Sequence, residues 1–240
     1  MFTAILYNLY RLKIKAITLF FLILSSNAVN AQSQVKTNDL GIWLGASLEY
    51  KLNKKYTFNF SQDVRLFESF TAIDKYITNL GVSYKVNKHF KLSGAGRYYL
   101  NKEKDNLLSQ NWRYNLSFNL KFKLNKKFKL KYRARVQTKY QFSLENVYQG
   151  RASNFRNRIT IDYKLNKKNH IYFGTELFRE FVFYRKPYFN KIRLILGDKL
   201  SHNLGDFNYF IGYERELNTE HPFNYTFLGI YYTFKLKNEN

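Results

Sequence analysis

Between Trp112 and Phe142 apolar and polar residues alternate almost one for one, a period of two that no helix presents. The even positions from Trp112 to Leu124 are Trp112, Tyr114, Leu116, Phe118, Leu120, Phe122 and Leu124. The odd ones are Arg113, Asn115, Ser117, Asn119, Lys121 and Lys123. After Asn125-Lys126-Lys127 the pattern restarts, with Phe128, Leu130, Tyr132, Ala134, Val136, Tyr140 and Phe142 opposing Lys129, Lys131, Arg133, Arg135, Gln137, Lys139 and Gln141. Strand side chains point alternately to opposite faces, so this is a long antiparallel hairpin with one apolar and one strongly polar face. Its arms far exceed the usual strand of about 5–6 residues. They also exceed the roughly 9–11 residues with which a tilted strand crosses a bilayer.

The rest of the chain repeats this habit. Beyond residue 31 most apolar residues have polar neighbours, so one face of each strand must meet something other than water. An aromatic content of 19% and only two prolines suit a chain that is mostly strand. Without cysteine there is no disulfide framework and no thiolate metal site. The formal charge of +23 raises the question of nucleic acid. However, the lysines are dispersed over turns and alternate strand positions rather than gathered on one helix or stripe, which argues against it. A basic rim suits anionic lipid head groups.

Residues 1–31 read as an export signal. Arg11, Lys13 and Lys15 form a charged region, Ala16–Leu24 an apolar core, and Val29-Asn30-Ala31 a small-residue cleavage site that leaves Gln32 first. That core is too short for a helix spanning a bilayer, which takes about 20 residues. Loss of the leader lowers the formal charge from +23 to +20. The remaining residues, 32–240, form the second domain.

An internal echo organises that domain. Tyr50-Lys51-Leu52-Asn53-Lys54-Lys55-Tyr56 returns as Tyr84-Lys85-Val86-Asn87-Lys88-His89-Phe90, as Phe122-Lys123-Leu124-Asn125-Lys126-Lys127-Phe128, and as Tyr163-Lys164-Leu165-Asn166-Lys167-Lys168-Asn169. A looser copy spans Lys199–Gly205. Each places an Asn-containing tight turn between two alternating runs, as in a hairpin. Longer connections near 68–74, 101–110, 143–153, 185–187 and 217–222 lie between the tight turns. Short turns on one side and longer loops on the other are the plan of outer-membrane barrels, with the short turns periplasmic. The count gives eleven strands, at approximately 42–52, 56–67, 75–86, 90–100, 111–124, 128–142, 154–165, 169–183, 188–200, 206–216 and 223–236. Because bacterial barrels carry an even number, we expect a short twelfth strand within Gln34–Leu40. Alternatively, Gln32–Asp39 climbs through the lumen to reach the start of the first strand. The aromatic, alternating run Ile230–Leu236 closes the barrel.

Asp39-Leu40-Gly41-Ile42-Trp43, the Tyr-Lys-Leu-Asn-Lys-Lys turns, Gln62-Asp63-Val64-Arg65-Leu66-Phe67, and Arg113-Tyr114 leading to Tyr132-Arg133-Ala134-Arg135 together carry a resemblance. Over nearly all of 39–236 the chain resembles a family of Gram-negative outer-membrane proteins classed as domain of unknown function 2490. The resemblance implies a barrel fold and an outer-membrane address, and brings no reaction, substrate or catalytic residue.

With the apolar face toward lipid, the polar face lines the interior. Pointing inward would be Asp63, Arg65, Arg97, Arg113, Arg133, Arg135, Arg156, Arg158, Asp162, Glu176, Glu180, Glu214 and Glu216, with Glu49 and Arg193 beside them. One reading is an arginine–carboxylate network bracing the wall. The other is a narrow pore whose Arg133, Arg135, Arg156 and Arg158, on neighbouring strands, favour anions. Twelve strands fall between filled eight-stranded barrels and open sixteen-stranded ones.

Enzymatic readings find little support. A serine hydrolase needs Ser, His and an orienting group converging near the outer leaflet, yet of the four histidines only His221 lies on a surface loop. Glu214 with Glu216, and Glu176 with Glu180, share faces on which Ca²⁺ could be held, but inward arginines favour salt bridges instead. Tyr98, Tyr132, Tyr140, Tyr163, Tyr225 and Tyr232 read as an interface girdle rather than sugar-stacking platforms.

The sequence therefore predicts an all-β, transmembrane, antiparallel up-and-down β-barrel of ten to twelve strands, with twelve favoured, at the cell outer membrane. It predicts no enzymatic activity, no cofactor and no metal. Its role is structural or that of a narrow pore with an arginine-rich lumen. Expected partners are outer-membrane lipids, lipopolysaccharide included, and the barrel-assembly machinery, without nucleic acid. The alternatives are a module whose loops 101–110 and 143–153 bind lipid, glycan or protein, and a lipid hydrolase dependent on His221.

Overall fold

Eleven antiparallel-meandering strands close on themselves in a computed structural model that describes residues 37–102, 108–143, 148–181 and 186–237. The proposed leader, 1–31, lies outside these residues. The strands are β1 Asn38–Lys51, β2 Tyr56–Phe67, β3 Ala72–Lys85, β4 Phe90–Lys102, β5 Leu108–Lys123 and β6 Phe128–Ser143. They continue as β7 Tyr148–Lys164, β8 Asn169–Phe181, β9 Tyr188–Ser201, β10 Gly205–Glu216 and β11 Asn224–Lys237. Each pairs antiparallel with its sequence neighbours, and β1 pairs with β11 in parallel from Asn38↔Asn224 to Lys51↔Lys237.

The parallel seam corrects the expected twelfth strand. In an up-and-down meander of odd number the first and last strands run the same way, and a parallel ladder joins them without a further strand. Asn38, Asp39 and Leu40, assigned by the parity rule to an extra strand, are the first residues of β1. Among the described residues the count is eleven, as the alternating segments themselves gave.

Five tight turns gather at one end of the barrel, and the described connections 68–71 and 217–223 lie at the other. The Asn of each Asn-Lys turn explains its recurrence. In four of them its Oδ1 accepts two backbone N–H groups, two and three residues on. Asn53 accepts from Lys55 and Tyr56, Asn87 from His89 and Phe90, Asn125 from Lys127 and Phe128, and Asn166 from Lys168 and Asn169, all at 2.8–2.9 Å. A short acceptor side chain at that position closes the turn in the way an extra peptide carbonyl would. The fifth turn lacks this arrangement and uses backbone bonds between His202 and Gly205. The ladder slips in register only toward the opposite end, at Arg65/Leu66, Gln141/Phe142 and Phe178/Arg179.

The two faces are inverted relative to a water-soluble protein. Outward residues such as Leu80 (64% exposed), Leu116, Val136, Phe173 and Leu196 are uncovered, whereas Glu176, facing inward, is 1% exposed.

Asn125→Ala removes two hydrogen bonds from an exposed turn, and we expect a loss of about 1–2 kcal/mol. Asn203→Ala, in the turn without this bonding, is expected to cost less. Urea unfolding midpoints of the two variants against the parent check this.

Candidate functional site

Strand parity alone decides which side chains enter the lumen, and it brings every predicted interior residue inside. Glu176 of β8 is the hub. Its carboxylate accepts from Arg133 Nη2 of β6 at 2.6 Å, from Arg156 Nη2 of β7 at 2.8 Å and Nε at 3.1 Å, and from Arg193 Nη1 of β9 at 3.4 Å. Arg193 extends the network to Glu214 of β10, which also pairs with Lys191 at 3.1 Å. Arg156 reaches Gln137 at 3.1 Å, and Arg135 donates to Ser117 at 2.7 Å. A belt of charge thus links strands β6 to β10 across the interior, with the Arg135–Ser117 bond standing beside it between β6 and β5. The carboxylates considered for Ca²⁺ are engaged by cations at Glu176 and Glu214. Glu180 accepts from Asn190 and Glu216 from the Phe223 amide nearer the long connections.

The remaining predicted residues sit elsewhere on the inner face. Arg97 donates to Asn79 at 2.7 Å, and Asp63 is buried on β2 beside Arg65. Arg113 lies over the Tyr99 ring at 4.6 Å. Asp162 pairs with Lys131 close to the tight turns, and Asp206, which sequence reasoning did not single out, pairs there with Lys199 and Lys235 at 2.6 and 2.5 Å.

Sequence reasoning also missed an apolar core inside the barrel. Trp43, Ile77, Tyr99, Phe178, Ile195 and Phe227 are its buried members. Trp43 of β1 stacks on Phe227 of β11 with centroids 3.8 Å apart, across the parallel seam, and Tyr225 stacks on Phe227 at 5.3 Å. Tyr225 is therefore not a girdle residue. It points inward, its hydroxyl accepting from Trp43 Nε1 and donating to the Leu66 carbonyl, each at 3.2 Å. Room for these rings comes from glycines directly opposite. A Cβ on Gly212 would lie 2.2 Å from the Phe227 ring, and one on Gly229 would lie 2.2 Å from the Phe210 ring. The aromatics also hold arginines, with Arg65 3.7 Å from the Trp43 centroid and Arg156 4.3 Å from that of Phe178. Stacking on an aromatic face stabilises a guanidinium where a carboxylate is lacking.

The belt and the aromatic core divide the interior. Toward the long connections are two cavities of about 390 and 440 Å³ that share Arg65, Lys75 and Arg113. Toward the tight turns is a bowl of about 690 Å³ whose wall and floor include Lys91, Lys121, Lys131, Arg133 and Arg158. Like charges face each other directly across the ladder at Arg97↔Arg113, Arg133↔Arg158, Arg135↔Arg156, Lys121↔Lys131 and Lys85↔Lys91. Such pairs oppose folding. His221 is exposed in the connection between β10 and β11, and His89, His170 and His202 lie at or beside the tight turns.

A closed, eleven-stranded all-β barrel with apolar residues outside and a partitioned cationic lumen is thus the class of protein these features define. The chain belongs to the family described as protein of unknown function (DUF2490), whose model matches residues 40–225. That match runs from the third residue of β1 to the second of β11, so it covers nearly the whole ring. It is the family expected from the Asp39–Trp43 and Asn-Lys turn motifs. No curated protein matches the chain in sequence.

Removing the hub carboxylate leaves three guanidinium groups facing one another, and uncompensated buried charge costs about 3–5 kcal/mol. Glu176→Ala should therefore destabilise the barrel by that amount, against about 1 kcal/mol for Glu180→Ala on the same face. Fluorescence-monitored urea unfolding suits the comparison, because Trp43 reports the lumen and Trp112 the exterior.

Proposed function

We propose that this chain is a non-enzymatic outer-membrane β-barrel, inserted after removal of a leader at residues 1–31, with a lumen closed at mid-height by the Glu176 belt. The observation that carries the reading is the inversion of polarity. Leucines such as Leu80 and Leu196 are more than half exposed on the outer face, while Glu176, Arg156 and Asp206 are buried within. An apolar surface encircling a barrel is costly in water and stabilising in hydrocarbon. The ring of strands leaves no open sheet edge, which a bilayer requires. The Asn-Lys turns then face the periplasm and the longer connections the cell surface, following the general asymmetry of such barrels.

Of the two roles open to an arginine-rich lumen, bracing is better supported than steady conduction. Arg133, Arg156 and Arg193 converge on one carboxylate instead of lining an open bore, and Trp43, Phe178 and Phe227 fill the adjoining level. Cations outnumber carboxylates on either side of this partition, so any passage created by loosening it would favour anions.

The purified protein in a planar bilayer is expected to be electrically silent, whereas a variant carrying Arg133→Ala and Arg156→Ala conducts with anion preference. Steady anion-selective current from the parent protein would overturn the closed reading. Absence of a heat-dependent mobility shift on a mild-detergent gel, together with solubility without detergent, would overturn the membrane barrel itself.

A further inference from the structure

We propose that the bowl at the tight-turn end is a binding site for an anion carrying clustered phosphate groups. Three cross-strand pairs of like charge, Lys85↔Lys91, Lys121↔Lys131 and Arg133↔Arg158, line it. A lumen built only to brace the wall would set a carboxylate opposite each cation, as it does at Glu176. Here the sole carboxylate in the lining is Asp162, already paired with Lys131. Lys91, Lys121 and Lys129 make no ion pair within 4.0 Å among the described residues, although Asp162 is the ladder partner of Lys129 and Glu49 and Asp162 act on Lys91 and Lys121 from farther off. Arg158 at the floor stands opposite Glu176, whose oxygens are taken by Arg133, Arg156 and Arg193, and the buried Nε of Arg133 beside it is unpartnered.

These donors match one ligand chemistry. The Arg158 guanidinium offers a forked donor suited to phosphate oxygens, Arg133 beside it keeps an unpartnered Nε while its Nη2 is held by Glu176, and lysine ammoniums above them supply point charges. Thr160 and Tyr172 add neutral hydroxyls to the same lining. A volume of about 690 Å³ falls in the range of roughly 300–1,000 Å³ typical of small-molecule sites. An occupant with several negative charges would relieve the cross-strand repulsion at all three pairs together, which a single chloride would not.

The inference rests on the closed-barrel reading, because an open bore would drain the bowl. The two fail separately: conductance interrogates the belt, and ligand binding in detergent interrogates the bowl whatever membrane the barrel occupies.

The test is calorimetric titration of sodium tripolyphosphate into the mature chain, residues 32–240, in neutral detergent, at low and at moderate salt. The expected result is saturable binding that weakens as salt rises, and that weakens about ten-fold or more in Lys121→Gln and in Arg158→Gln. Lys121→Gln should unfold at the same or higher urea concentration than the parent, since it relieves a like-charge contact, whereas Arg158→Gln also gives up its place opposite Glu176 and is read for binding alone. In Lys121→Gln binding therefore falls while stability does not, a combination that a structural role for this residue does not produce. Repeating the titration in phosphatidylcholine discs with and without phosphatidic acid separates the sources. Competition by the acidic lipid assigns the site to a head group, and its absence assigns it to a soluble phosphate compound. No saturable binding at low salt, unchanged affinity in both variants, or equal affinity for sodium sulfate would overturn the proposal.

Discussion

An up-and-down sheet with an odd number of strands closes only through a parallel pair, and much of this barrel's interior answers to that requirement. The β1–β11 seam lacks a connecting turn, and parallel ladders are slightly less stable per residue than antiparallel ones. Side chains supply what the topology withholds. Trp43 and Phe227 stack across the seam, Ser47 donates to Thr233 at 2.8 Å, and Tyr225 reaches the Leu66 carbonyl at the end of β2. Gly212 and Gly229 are spaces for the rings of this staple, each opposite the phenylalanine that fills it.

The belt solves a different problem. Arginines inside a barrel must be hydrated, paired or stacked. Glu176 pairs with three of them, Glu214 shares one, the rings of Trp43 and Tyr99 receive Arg65 and Arg113, and Phe178 adds a face to the already paired Arg156. An ion network of this kind is weak evidence for net stability, since desolvation offsets much of the Coulombic gain. Its firmer consequence is geometric. Side chains from β6, β7, β8, β9 and β10 converge on two carboxylates, so the wall is tied across its interior and the lumen is divided.

Much of this was legible from the order of residues. Alternation from Trp112 to Phe142 gave β6 to within a residue and β5 to within three, and the Asn-Lys echo with its looser copy at Lys199–Gly205 placed all five tight turns. The thirteen interior residues followed from the same parity. Errors arose where a general rule displaced the local pattern. Expecting an even number of strands turned the first residues of β1 into a separate element. Equating apolar with outward hid the lumenal core, although Phe178 lies two residues from both Glu176 and Glu180, and Tyr99 two from Arg97. Position along the strand, not residue type, decides the face, and Tyr225 reads correctly as inward once it is counted from Phe227. Which cations find carboxylates was not legible, because it depends on pairings such as β7 with β8 that bring residues about twenty apart in sequence to opposite positions.

The distribution of paired and unpaired charge separates the two halves of the lumen by purpose. Were stability the only demand, Lys85↔Lys91 and Lys121↔Lys131 would be poor choices, since replacing one member of each by glutamate would turn repulsion into attraction across the same ladder. The chain makes the favourable choice at the belt, with Glu176 opposite both Arg158 and Arg193 and Glu214 opposite Arg193. Carboxylates are thus concentrated where they tie the wall and nearly excluded from the lining of the tight-turn bowl. Folding alone does not account for that exclusion. An anion that completes the bowl from outside the chain does, because its charge supplies the partners that the sequence leaves out.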